Sequence, residues 1–262
     1  MTQNIGAGRP GIACQAKTLG LWFNGILGVV MSVFLFFCSD GILYVVGIAP
    51  ALKEPAVQYL RIVGGGSILN AMIPILAGYL RAFGYTKQPL IATVTGNILN
   101  FILNAVFLFR FHLGVQGVAS ATVISKVANL ILIVIFVRRL IPAKKYSGRL
   151  NSGEILRKII RIGLPSALDN IIYNIAMTLV IRFLNQMDTE GINVAARSYT
   201  AQITNLSFCV GSALAQANAI MTGWYMGAGE YETCDRQTRK EAVIGTALAA
   251  GKEILFAMCE PL

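Results

Sequence analysis

Long stretches of this chain carry no charge at all, and their spacing constrains the fold more than any other feature. Lys17 and Asp40 bracket one such run, Arg61 and Arg81 a second, and Lys87 and Arg110 a third. Each holds about twenty residues, enough at about 1.5 Å per residue to carry an α-helix across roughly 30 Å of bilayer hydrocarbon. A charge at the bilayer centre costs several kcal/mol, so the charges mark where the spans end. The spans predicted in this way cover residues 19–38, 62–80, 88–109, 113–137 and 162–181. A sixth lies within the uncharged run 198–229, and a weaker seventh, 242–258, is interrupted by Lys252 and Glu253. The expected fold is therefore all-α, a polytopic transmembrane bundle of about seven spans whose medium is the lipid bilayer.

Composition excludes the main soluble alternatives. With 55% hydrophobic and 13% charged residues, the chain is too apolar for a soluble enzyme or a DNA-binding domain. The net charge of +10 resembles a nucleic-acid footprint only in sum, because the basic residues lie in short segments between apolar runs. No nucleic-acid partner is implied. When the spans are threaded alternately across a bilayer, 15 of the 22 basic residues fall on one side: Arg9, Lys17, Arg81, Lys87, Arg236, Arg239, Lys240 and the eight between Arg138 and Arg161. The other side receives only Lys53, Arg61, Arg110, Arg182 and Arg197. By the positive-inside rule the amino terminus is expected in the cytoplasm of a cell-membrane protein. The basic stretch before Arg161 reads as a cytoplasmic linker, residues 141–161, between a first part, 1–140, and a second, 162–262.

The five cysteines are odd in number and widely separated, which suggests free thiols rather than a disulfide framework or a CxxC metal site. His112 is the only histidine and sits beside Arg110 between two apolar runs, so an interfacial loop is expected. The residues after Met1, TQNIGAGRPG, provide neither a basic n-region nor an apolar h-region, and no cleavable signal peptide is expected. Gly6-Ala7-Gly8 recurs as Gly227-Ala228-Gly229, and at the same offset Cys38 falls on Cys259. A GAG string after an apolar run is a natural helix stop, because glycine takes the left-handed C-cap conformation cheaply.

Several strings, in order along the chain, carry a resemblance to the multidrug and toxic compound extrusion (MATE) family of twelve-helix, two-lobed transporters. Gly6-Ala7-Gly8-Arg9 resembles the cytoplasmic end of that family's second helix. YLRIVGGGSILN (59–70) and GYLRAFGYTKQPL (78–90) resemble its fourth helix and the following loop; TGNILNFILN (95–104) and GVQGVASATVIS (114–125) resemble helices five and six; IRIGLPSAL (160–168) resembles the start of helix seven. The resemblance implies helices three to nine of twelve, with the GAG repeat marking equivalent points of two lobes. It also implies that the missing helices are supplied by a longer parent chain.

Asn97, Asn100 and Asn104 are spaced by three and four and project as one polar ridge on the third span. Such a ridge either knits helices together or holds a cation. The resemblance implies that amides at these places, with Asn70 from the family's fourth helix and Thr122 from its sixth, form a cation or proton site in the amino-terminal lobe. Many family members have an aspartate where this chain has Asn104, which cannot titrate, and some have a glutamate where it has Tyr173. Among ionisable residues within spans, Lys126 is expected to face a cavity or an acid on another helix. Asp169 lies eight residues after Arg161, about 12 Å along a helix, and serves either transport or a solvated helix end. Pro74 and Pro165 predict kinks.

The function implied is secondary antiport: export of organic, mostly cationic compounds in exchange for sodium or protons. No cofactor is implied, and no metal centre beyond a coupling ion that is either sodium or a proton. A lipid-linked saccharide flippase of the same broad fold is the alternative among transporters, and a truncated product without activity is another. A membrane-embedded enzyme would need an acid cluster or a Ser/His pair within the spans, and the sequence offers neither.

Overall fold

The computed structural model describes residues 1–46, 50–141, 152–187 and 192–259. Its helices are α1 (Thr2–Gly6), α2 (Pro10–Val46), α3 (Pro50–Gly65), α4 (Ser67–Ala82), α5 (Lys87–Ala105) with a π-helical extension (Val106–Arg110), α6 (Gly114–Leu140), α7 (Ser152–Met187), α8 (Ile192–Ala228) and α9 (Tyr231–Cys259). No strand occurs among the described residues. Four of the helical stretches are long and apolar enough to cross a bilayer: Pro10–Tyr44, Lys87–Arg110, Gly114–Leu140 and Ser152–Phe183. Lys53–Gly65 and Ser67–Ala82 add a fifth if the bent pair is one span. The sixth and seventh expected spans fall on α8 and α9. Many of the large apolar residues face outward, with Phe37, Phe101 and Phe109 each about three-quarters exposed. Lipid, not water, is the medium that such faces suit.

The chain divides into two compact units. The first comprises Met1 and Pro10–Leu156, the second Thr2–Arg9 and Arg157–Leu262. This differs from the expected 1–140, 141–161 and 162–262 in two ways. Residues 2–9 pack with the second unit, and α7 begins at Ser152, inside the stretch read as a linker. Residues 142–151 of that linker lie outside the described residues.

In the first unit α2 packs against α3 and α4, and α6 packs against α3, α4 and α5. Its core lies where α4 and α6 finish and α5 starts: Leu76, Tyr79, Leu80, Ala92, Ile133 and Val137 are buried together. The Lys17 ammonium sits 4.8 Å above the Tyr79 ring, so its charge meets the negative face of an aromatic at the edge of that core. Charges mark the edges of apolar runs, but only some of them end helices: Lys87 begins α5 and Arg110 closes its π-helical extension. Asp40 lies within α2, where its carboxylate accepts from Arg61 of α3 at 2.7 Å. Arg61 also donates to the fully buried Ser39 hydroxyl at 3.1 Å. The second span departs from expectation as well. It breaks between Gly65 and Ser67 with a bend of 42°, while α4 runs on through Pro74. The Gly64-Gly65-Gly66 run is weak helix former, and a side chain on Gly66 would come within 3.2 Å of Val123. The bend therefore goes where the backbone is cheapest to deform and α6 comes close. His112 lies in the short link between the π-helical turn and α6, with φ 51°.

In the second unit α1 packs against α8. The contact is made of glycines: a Cβ on Gly6 would strike the Trp224 carbonyl, and one on Gly223 or Gly227 would strike Thr2 or Gln3. The two GAG strings also end their helices alike. Gly8 and Gly229 have φ of 68° and 81°. Arg9 N–H donates to Asn4 C=O at 2.7 Å, and Glu230 N–H to Tyr225 C=O at 2.9 Å. These are equivalent bonds at the offset seen in sequence, and each closes a left-handed helix stop.

Candidate functional site

Helices α5 and α6 meet closely because Gly96 presents no side chain; a Cβ there would lie 3.2 Å from Cβ of Asn129 and 3.5 Å from the Ser125 carbonyl. Beside that contact is a small polar cavity of about 140 Å³, lined by Gly96, Asn97, Asn100, Thr122, Ser125, Lys126 and Asn129. One wall is the asparagine ridge of α5. The other is a matching ridge of α6, where Thr122, Ser125, Lys126 and Asn129 recur at three, four and seven residues and so share a face.

A chain of hydrogen bonds ties the walls together. Asn104 Nδ2 donates to Asn100 Oδ1 at 3.1 Å, and Asn100 Nδ2 reaches Thr122 Oγ1 at 3.5 Å, at the limit for such a bond. The Thr122 hydroxyl donates to the Val118 carbonyl at 2.9 Å and that of Ser125 to the Thr122 carbonyl at 2.9 Å. Both hydroxyl protons thus point into the helix backbone, leaving oxygen lone pairs for other partners. The amide oxygens of Asn104 and Asn129 are buried without a hydrogen-bond partner. Of the two only Asn129 lines the cavity, and a buried acceptor left open there is what a cation or a donor group can satisfy.

The profile of the MatE family matches residues 1–106 and 165–262, well over half of the chain. The chain belongs to the MatE family. It is 29% identical to the uncharacterized transporter YisQ of Bacillus subtilis, over 98% of this chain and 57% of that protein. It is 28% identical to the probable multidrug resistance protein NorM of Thermotoga maritima, over 69% of this chain and 40% of that protein. A solved outward-facing multidrug resistance MATE family transporter superposes with a TM-score of 0.82 at 25% identity, covering 98% of this chain and 58% of that one. The chain therefore spans about half the length of the relatives it matches. MatE proteins are transport proteins rather than enzymes, and they are multi-pass membrane proteins.

Within this MatE chain the expected site residues separate into three groups. Asn97, Asn100, Thr122 and Lys126 come together in the cavity, and Asn104 joins it through Asn100. Asn70 does not line it: Asn70 is exposed on α4, beyond the bend at Gly66. Asp169 and Tyr173 belong to the second unit, both exposed on α7. The nearby Asn170 and Asn174 amides donate to carbonyls one turn back on their own helix. Sequence reasoning missed Ser125 and Asn129. Their signal was the polar spacing from Thr122 through Asn129, as regular as the asparagine ridge it faces. Cys14, Cys38, Cys209 and Cys234 are free thiols; the side chain of Cys259 lies outside the described residues.

Proposed function

We propose that these helices belong to a secondary antiporter that exports organic, mostly cationic compounds in exchange for sodium or protons, with the remaining helices supplied by a longer parent chain. The protein sits in the cell membrane with its amino terminus in the cytoplasm, a reading supported by the asymmetry of the basic residues. The observation that carries the coupling role is the α5–α6 cavity, whose lining of amides, hydroxyls and one ammonium lies between two helices of a MatE fold and retains a buried, unsatisfied acceptor. Polar groups of this kind within a span are expensive unless they are used.

The competing role for the same residues is helix packing, and the two separate cleanly. In the complete transporter reconstituted into vesicles, Asn100→Ala should reduce cation-driven ethidium efflux severalfold while costing no more than about 1 kcal/mol of stability, the scale of one interhelical hydrogen bond. If efflux falls only in step with the folded fraction, the ridge is structural and the coupling role is lost.

A further inference from the structure

Lys126 is the charged member of the cavity wall. It stands twelve residues after Gly114 and fourteen before Leu140, about 18 and 21 Å from the two ends of α6. A four-carbon stem cannot carry its ammonium to either aqueous interface from there. No carboxylate lines the cavity, and the ion pairs seen among the described residues join other partners. The charged side chains of the elements packed against α6 stay out of the lining: Lys53, Glu54 and Arg61 of α3, Arg81 of α4, Lys87 of α5 and Arg110 of the π-helical turn.

The wall instead offers lone pairs. The hydroxyl protons of Thr122 and Ser125 are committed to backbone carbonyls, and Asn129 Oδ1, one turn on from Lys126, is buried and open. An ammonium has three donors and no acceptor, so these groups complement it. An anion would not, since it would meet the same lone pairs; the Lys126 ammonium lies along this wall without a hydrogen bond to Asn129 Oδ1, which stays open.

We infer that the ammonium of Lys126 is the resident cation of this cavity, a charge carried by the chain itself in the place that a free sodium ion would take. The inference rests on reading the cavity as the cation site of its lobe, and of the two coupling ions proposed above it leaves the proton rather than sodium for this site. Sodium cannot share it. Two unit positive charges about 4 Å apart, at the effective dielectric of a partly buried site, repel strongly enough to lower affinity about a thousandfold. Removing the ammonium should then expose a vacant set of amide and hydroxyl oxygens, ligands of the kind that hard cations prefer.

The test measures thermal unfolding of the 262-residue chain in detergent with matched sodium chloride, choline chloride and sodium gluconate. The unaltered chain and Lys126→Arg should unfold at the same temperature in all three salts. Lys126→Ala should unfold about 3 °C higher in either sodium salt than in choline chloride, the shift that ligand linkage gives a site filled well above its dissociation constant. Lys126→Gln, which keeps most of the side-chain volume, gives the same readout if the alanine variant folds poorly. Sodium stabilisation of the unaltered chain would overturn the inference while leaving a cation site in place. A shift that follows chloride would overturn it in favour of an anion site. No response in any variant would overturn both the inference and the cation-site reading.

Discussion

The α2–α4 contact allows a stability prediction with its own internal control. A Cβ on Gly28 would sit 2.8 Å from the Ile68 Cα, 3.3 Å from the Ala71 Cβ and 3.4 Å from the Ile68 Cβ. Ordinary contact begins at 3.4 Å, so Gly28→Ala is short by 0.6 Å, the difference of those two distances, and against backbone rather than a flexible side chain. Either the two helices separate or α4 shifts, at the roughly 1–3 kcal/mol that overpacking costs. Alanine also gains about 1 kcal/mol of helix propensity over glycine, which hides part of the clash. Gly25 removes that ambiguity. It lies one turn earlier on the same helix, with nothing within 4 Å of its added Cβ, so Gly25→Ala receives the propensity gain alone. The propensity terms cancel between the two variants, and Gly28→Ala should be less stable than Gly25→Ala by about 1–3 kcal/mol. Paired thermal unfolding in one detergent, followed by circular dichroism, should show Gly25→Ala at or above the parent and Gly28→Ala several degrees below its partner. Equal midpoints, or a higher one for Gly28→Ala, would mean that α2 and α4 do not pack at this distance.

Two further expectations concern coupling and topology. Asn104 is bonded to Asn100 and carries a buried, unsatisfied amide oxygen, so Asn104→Asp should add a pH-dependent step to transport by the complete protein; an unchanged pH profile would remove the position from coupling. A cysteine introduced at Ser147, in the basic stretch 138–161, should react with an impermeant thiol reagent only after the inner face of the membrane is opened, and labelling of intact cells would reverse the proposed orientation.

Much of the fold follows from one-dimensional information, because in a bilayer the dominant energies depend on what a residue is rather than on what it touches. A charge or an open backbone group is costly in hydrocarbon whatever the neighbours, so runs between Lys17, Asp40, Lys87 and Arg110 are helices in any arrangement. The GAG stops were legible for the same reason: a left-handed glycine is a local property, and Gly8 and Gly229 close their helices without help from partners. The polar ridges of α5 and α6 were each written in residue spacing too.

What lay beyond sequence depends on which faces meet. Asn70 and Asn100 are equally polar and both within apolar runs, yet only Asn100 reaches the cavity, because the bend at Gly66 and the seat of α4 against α2 and α6 decide where α4 points. The bend itself could have fallen at Pro74; three glycines where α6 approaches made Gly66 the cheaper place. Lys126 shows the same limit. Its burden as a charge in mid-span was plain from its position, but the polar wall it shares with Thr122, Ser125 and Asn129 faces the asparagine ridge only once Gly96 lets α5 close on α6. Hydrophobic periodicity is nearly uniform around helices bathed in lipid, so it cannot say which side is buried. Close approach of small residues and the pairing of polar ones make that choice, and both are properties of two helices at once.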